Sequence, residues 1–263
     1  MSRNRKPGIF ISHGRYVARI AVRSSEIESA LRLRFDVFNS ELNEGMPESY
    51  RTGMDKDAYD EYCDHLIVCD TEKDMIVGTY RLMPGIVAEN SAGYYSENEF
   101  DLSSIRMLPG PKLELGRSCV HQAYRNAAVI SLLWKGIAAY VEEYDIRHLF
   151  GCASLHTSNM AAVNVVYSYL NRCHRAEDPY TVSPLIRIRD IQEFAFCDRE
   201  EALALMPPLL KGYMRLGARI CGEPAYDPLF GTTDFFIILD TVNLLERYRS
   251  RFFGRSTEEK CAA

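Results

Sequence analysis

Between Lys112 and Leu170 the hydrophobic pattern switches three times, and this constrains the fold more than any other feature of the chain. Lys112–Val120 reads as a central strand. Ala127–Tyr144 follows as a long helix with an apolar stripe at Ile130, Leu133, Trp134 and Ile137. His148–Leu155 is a second strand, and Met160–Leu170 a second helix. Upstream, Tyr16–Val22 alternates like a strand, and Ser24-Ser25-Glu26 supplies cap residues for a helix through Ile27, Leu31, Phe35 and Phe38. Two further strands, His65–Cys69 and Met75–Leu82, are joined by the acidic turn Asp70–Asp74. This order predicts a mixed α/β sandwich.

The remaining segments read differently. Asn43–Asp60 is polar, carries Gly45, Pro47 and Gly53, and has the character of a long functional loop. Pro84–Pro111 is irregular, with one short helix near Ser103–Met107. Beyond Asp190 lies an extension. A helix begins at Arg199, Met206-Pro207-Pro208 breaks it, an amphipathic turn runs through Arg219, and Phe235–Asp240 forms a strand. The expected division is a core of residues 1–195 and an extension, 196–263, packed on the same domain.

Charge and composition exclude several classes. A net charge of −5 lacks the basic excess of a nucleic-acid binder. No apolar run approaches the roughly 20 residues that span a bilayer. Met1–Pro7 is basic, but the mixed segment Gly8–Gly14 stands where a signal peptide would carry its apolar core, so a cytoplasmic location is expected. The eight cysteines show no CxxC pair and are read as reduced, mostly buried thiols. Cys63, His65 and Cys69 match no standard zinc spacing, and no metal is expected.

Four short motifs occur in order: Arg34-Phe35-Asp36-Val37-Phe38, Asp57-Ala58-Tyr59-Asp60, Gly78-Thr79-Tyr80-Arg81-Leu82-Met83-Pro84 and Glu114-Leu115-Gly116-Arg117. In this order they resemble the acyl-homoserine-lactone synthases. The fuller Glu114–His121 stretch (ELGRSCVH), the segment Gly151–Ser154 and the pattern GAxxxGxPAxDxxF at Gly217–Phe230 resemble more closely the hemolysin-like GNAT N-acyltransferases. That family includes ornithine-lipid and glycine-lipid synthases and long-chain N-acyl amino acid synthases. The resemblance covers most of the chain from about Arg32 onward. It implies a GNAT-like mixed sheet flanked by helices, splayed to admit a pantetheine arm, with the helical and strand extension at the C-terminus.

The resemblance places a candidate base at Glu114. An amine must lose its proton before it can attack a thioester, and a carboxylate beside the reacting carbon can take it. The alternative is a carboxylate paired structurally with Arg117 or Arg81. Arg34, Asp57, Asp60, Arg81 and Arg117 are carried over as a charged constellation, with Arg81 and Arg117 counted as catalytic and Arg34, Phe38, Asp57 and Asp60 as acceptor-binding. Such a cluster can orient a base or grip a carboxylate bidentately. Tyr124-Arg125-Asn126 occupies the place of the glycine-rich pyrophosphate loop of acetyl-CoA enzymes, without a glycine. That favours a carrier protein's single phosphate, with Arg125 as its contact, while Asn126 also reads as an ordinary helix cap.

Cys119 and His121 share one strand face, but a buried cysteine is more often a core residue, and direct transfer is the expected chemistry. Tyr94, Tyr95, Phe100 and Trp134 could line an acyl tunnel or simply fill the core. Met206–Arg219 and the tail Leu244–Arg255 set apolar residues beside arginines, compatible with docking on the inner membrane surface, on an acidic carrier protein, or on the chain's own core.

The reading implied is an N-acyltransferase of ornithine lipid biosynthesis. It would move a long-chain, 3-hydroxy fatty acyl group from acyl carrier protein onto the α-amine of an amino acid such as ornithine, with no permanently bound cofactor. An acyl-homoserine-lactone synthase and a non-catalytic lipid- or carrier-binding module stand as alternatives.

Overall fold

Parallel strands cannot be joined by a tight turn, and the stretch that dominates the sequence resolves in that way. In the computed structural model, which describes residues 8–157 and 159–243, Lys112–Val120 and His148–Leu155 pair in parallel and the chain between them runs through the helix Ala127–Glu143. The elements in chain order begin with β1 (Phe10–His13), β2 (Tyr16–Ile20), α1 (Ser24–Phe35), β3 (Asp64–Asp70), β4 (Met75–Pro84) and α2 (Gly85–Ala88). Then come β5 (Phe100–Asp101), α3 (Ser103–Arg106), β6 (Lys112–Val120), α4 (Ala127–Glu143), β7 (His148–Leu155) and α5 (Met160–His174). The last are β8 (Ser183–Pro184), α6 (Arg199–Leu205), α7 (Pro208–Leu216), β9 (Arg219–Ile220), β10 (Ala225–Asp227) and β11 (Thr232–Asp240).

The described residues up to Ala92, together with Leu115–Ile146, form one compact unit. Here β1, β2, β3 and β4 pair as consecutive antiparallel neighbours, and β6 follows β4 in the order. Both faces are covered, so β3 reads as a continuous apolar run rather than an alternating one. Ile67 and Cys69 pack with Ala30 and Ile27 of α1. Leu66 points the other way, toward α4, whose Gly136 lies so close that a Cβ there would stand 2.6 Å from Leu66 Cδ1. The buried stripe of α4 is Val129, Leu132, Leu133, Gly136, Ile137 and Tyr140. The expected stripe was displaced, since Ile130 is exposed and Trp134 only half-buried. The true stripe includes a glycine and a tyrosine, which an apolar count overlooks.

Gly93–Glu114 and the described residues from Arg147 onward form the other unit. It contains β7, α5 and the whole described part of the C-terminal extension. β11 is buried along its length and pairs antiparallel with β7 from Thr233 opposite Leu155 to Asp240 opposite His148, with β10 and β9 also paired to β11. Tyr94, Phe150, Phe236 and Phe100 form a chain of ring contacts with centroids 5.0–5.6 Å apart. Tyr94 and Phe100 are therefore core residues. α7 ends at Gly217, whose φ of 100° is the left-handed conformation that glycine adopts without strain. Its Leu210, Tyr213 and Met214 are buried, while Leu209 and Arg215 face outward.

Met1–Pro7, Cys261 and the tail Leu244–Arg255 lie outside the described residues. The seven cysteines within them are free thiols. Only Cys119 and Cys221 are buried, and Cys173 is exposed, so the expectation of mostly buried thiols is corrected. Gly8–Gly14, read only as a mixed segment, contains β1, a short edge strand with little burial to mark it. No described helix is long and apolar enough to cross a membrane.

Candidate active site

Four of the predicted charged residues, with one the sequence did not single out, are assembled around Arg34 in the first unit. Arg34 sits on the inner face of α1 and is fully buried. Its Nε donates to Asp55 Oδ1 at 2.7 Å and its Nη2 to the same oxygen. Nη1 donates to Asp60 Oδ1 at 2.6 Å, and Nη2 also reaches Asp60 Oδ2 at 3.2 Å. Arg81, on β4, places Nη1 2.6 Å from both oxygens of Asp57 and 3.4 Å from Asp60 Oδ1. Arg117, on β6, reaches Asp57 Oδ2 at 3.2 Å and Asp55 Oδ1 at 3.4 Å. Three guanidinium groups (+3) thus meet three carboxylates (−3), for a formal sum of zero.

Local structure sets this geometry. Asp57 caps the turn Ala58–Glu61 by accepting from Tyr59 N–H, and Asp60 reaches back to accept from Asp57 N–H, which aims both carboxylates together. Burial alone would raise the Asp55 carboxyl, but Arg34 and Arg117 outweigh it and hold it below its ordinary range. Asp60 is lowered in the same way, by Arg34 and Arg81 against burial. His65 Nε2 lies 3.3 Å from the Asp60 carbonyl, and burial pushes its pKa down despite the nearby carboxylate, so it stays neutral. Arg117 has φ of 49°, a left-handed conformation uncommon for a side-chain-bearing residue in a strand. Such strain persists where surroundings over-determine it, here through two ion pairs.

Glu114 belongs to the second unit. It is the third residue of β6 and stands opposite Phe150, the third rung of a parallel ladder that begins at Lys112 and His148. Its carboxylate is buried. Oε2 accepts from Tyr95 N–H at 2.8 Å, and Oε1 accepts from Ser96 N–H at 2.7 Å and from the Ser96 hydroxyl at 2.6 Å. Both N–H groups open the helical turn Tyr95–Asn98, where such groups lack partners within the turn and suit an anion. Around it, Glu99, Cys152 and Asp234 bring ligand atoms within 4.8 Å of one another. Low-dielectric surroundings push the Cys152 thiol well up. Burial and the neighbouring Asp227 push Asp234 up to about 6, against hydrogen bonds from the Thr232 and Ser154 hydroxyls and the nearby His156.

The other predicted residues are placed as follows. Phe38 lies in a single π-helical turn, Asp36–Glu41, that continues α1, and packs half-buried on Leu33, Val37 and Cys119. Asn126 caps α4, accepting from Ala128 and Val129 N–H. Tyr124 is buried, edge-on to His121. Arg125 is clasped by Glu41 through two 2.6 Å bonds and donates to the Val120 carbonyl. Burial pushes the Cys119 thiol up to about 12, far from a thiolate, which leaves the residue a core one.

Comparison with known proteins fits this frame. The acetyltransferase (GNAT) domain family matches residues 33–135. An L-ornithine N(alpha)-acyltransferase of Brucella abortus (strain 2308) is 39% identical over 91% of this chain and 89% of its own. One from Rhizobium meliloti (strain 1021) is 38% identical over 88% and 81%. The chain belongs to the L-ornithine N(alpha)-acyltransferase family. As an N-acyltransferase it has the GNAT fold, which it shares with a solved N-acyl amino acid synthase from uncultured soil microbes at TM-score 0.54, 14% identity, 90% of this chain and 94% of that one. A CoA-dependent acyl-homoserine lactone synthase aligns at TM-score 0.53, with 17% identity over 91% of this chain and 89% of that one.

Two features of this N-acyltransferase gave no signal in the sequence. Asp55 stands in no motif, yet it is the fully buried partner of Arg34. Tyr95 and Ser96 act through backbone N–H groups, which every residue but proline carries.

Proposed function

We propose that the protein transfers a long-chain, 3-hydroxylated fatty acyl group from the phosphopantetheine thioester of acyl carrier protein to the α-amine of ornithine, giving a lyso-aminolipid. The observation that carries the reading is the buried Glu114 carboxylate, aimed by three hydrogen-bond donors of Tyr95 and Ser96. In this reading Glu114 takes a proton from the α-ammonium, directly or through water. The freed amine attacks the thioester carbon, a C–N bond forms and the C–S bond breaks. The nitrogen sheds its second proton to the leaving thiolate, giving the amide and a free thiol, while the proton on Glu114 passes to solvent.

Arg81 and Arg117 hold the Asp57 turn and act on the positioning of the acceptor in this proposal. Arg34 already spends its donors on Asp55 and Asp60, which argues for a scaffold role rather than a direct grip on substrate. Phe38 and the turn Asp57–Asp60 line the acceptor side in this proposal. Tyr124, Arg125 and Asn126 receive the donor's phosphate, for which Arg125 exchanges Glu41 for the phosphate oxygens. The relatives named above act on L-ornithine by name, and this supports the choice of acceptor. A peripheral membrane contact through Leu209, Arg215 and Arg219 is consistent with delivery of a lipid product.

The test is turnover of purified enzyme with ornithine and one 3-hydroxyacyl chain offered on carrier protein or on CoA, read by mass spectrometry. The expected product is Nα-acyl ornithine, with the higher kcat/KM on carrier protein. An equal or better value on CoA overturns the donor assignment, and acylation of another amine overturns the acceptor assignment.

A further inference from the structure

We infer that Ser96 is a positioning residue for the acyl-transfer step, tuning and aiming the Glu114 carboxylate, with Cys152 fixing the direction of its hydroxyl. The inference rests on the reading of Glu114 as the base. Two groups of the same residue, its N–H at 2.7 Å and its hydroxyl at 2.6 Å, converge on the one oxygen Oε1. The hydroxyl is a rotor that could donate elsewhere. Cys152 Sγ lies 3.3 Å from Ser96 Oγ and donates to it, which leaves the hydroxyl proton for Glu114. Cys152 is suited to that role because, although the residue is only half-buried, desolvation at its thiol holds the pKa well above the ordinary value and keeps the proton in place. Ser96 itself is fully buried, so water does not compete for the rotor.

The chemistry follows from the number of donors. A carboxylate oxygen that accepts two hydrogen bonds is stabilised as the anion, and removing one donor raises its pKa. A base works in its deprotonated form, so a raised pKa moves the acidic limb of the rate profile to higher pH. The donors also leave a restricted set of lone-pair directions on Glu114 for the incoming ammonium proton. The titratable groups of this unit that share the surroundings are Cys152 on β7, Glu99 at the end of the Tyr95–Asn98 turn, and Asp234 on β11. Asp227 on β10 meets the Tyr95 hydroxyl at 3.4 Å. Of these, Cys152 meets the Ser96 hydroxyl directly, and it loses that contact in Ser96→Ala but keeps it in Ser96→Thr.

The experiment compares Ser96→Ala, Ser96→Thr and Glu114→Gln in the full-length enzyme by the pH dependence of kcat/KM with ornithine and 3-hydroxyacyl-loaded carrier protein as substrates. Ser96→Ala keeps both backbone donors and is expected to lose about tenfold in kcat, with the KM for the donor unchanged. Its acidic limb is expected to move upward by roughly half to one pH unit. Ser96→Thr, which keeps the hydroxyl, is expected to restore the wild-type limb. If Glu114→Gln is inactive but Ser96→Ala keeps the wild-type limb, Ser96 does not tune the base and the inference fails alone. If Glu114→Gln turns over at the wild-type rate, the base assignment fails and the inference falls with it. A limb that shifts equally in the Ala and Thr variants points to general distortion and also overturns the inference.

Discussion

The two units bury carboxylates in opposite ways. In the first, Asp55, Asp57 and Asp60 face Arg34, Arg81 and Arg117, and charge closes on itself. In the second, Glu114 accepts from Tyr95 and Ser96, and Asp234 from Thr232 and Ser154. Desolvation penalises a buried carboxylate in both places, and the partner decides the outcome. Guanidinium groups hold Asp55 and Asp60 below the ordinary range, whereas hydroxyls leave Asp234 raised to about 6. In the first unit each of these guanidinium groups is already engaged by carboxylates.

The largest test of this contrast is Glu114→Gln. Loss of a general base is expected to lower kcat by about two to four orders of magnitude. The amide NH2 would also face Tyr95 N–H, costing about 1–3 kcal/mol of stability. Steady-state kinetics beside a denaturant melt separates the two effects, and a near wild-type rate would erase the functional half of the comparison.

Asp55→Ala probes the other side. It deprives the buried Arg34 of one partner, and breaking a buried pair is expected to destabilise by about 3–5 kcal/mol. Turnover per folded molecule should fall as well, since Asp55 is one of the two carboxylates that hold Arg117. Chemical denaturation giving a loss below about 1 kcal/mol, the range of an exposed pair, would show that the network is not closed.

Arg81→Lys and Arg117→Lys sharpen the boundary between scaffold and site. Lysine keeps the charge but not the planar fork, so both variants are expected to lose activity. A double-mutant cycle between Arg81 and Asp57 should give coupling above about 0.5 kcal/mol. Additive effects would reduce the pair to two separate charges.

The smallest expected effect is in pH, where the two regions should pull stability in opposite directions. Asp55 and Asp60 have depressed folded values, so their contribution is complete above the ordinary aspartate range and is lost as pH falls through the folded values. Asp234 is raised, so its contribution is complete below the ordinary range and is lost as pH rises toward about 6. Tm measured against pH should therefore fall at strongly acid pH and also decline gently between about 4 and 6. Asp234→Asn should remove the second decline and leave the first. A variant whose profile overlays wild type between those limits would show that Asp234 is not the group responsible.

Much of this was legible in residue patterns. Lys112–Val120 and His148–Leu155 are strands with the bounds the sequence indicates, each a short segment beginning with consecutive buried residues and lying next to turn residues. The helix over 127–143 was equally plain, although its buried face was misphased by a residue that carries no side chain. Motif order brought Arg34, Asp57, Asp60, Arg81 and Arg117 to notice, and they do converge. The role given to Arg125 was less visible, since nothing local shows that Glu41 holds it.

What the sequence by itself determined is the order of the main elements and the charged residues that would meet. Periodicity and local capping are properties of neighbouring residues, so they are written in the chain. Only the tertiary structure decided that Asp55 completes the network, 21 residues from Arg34, and that Ser96 and Tyr95 hold Glu114 from 18 and 19 residues away. These contacts depend on loop closure and on backbone groups common to almost every residue, and neither leaves a mark in side-chain order.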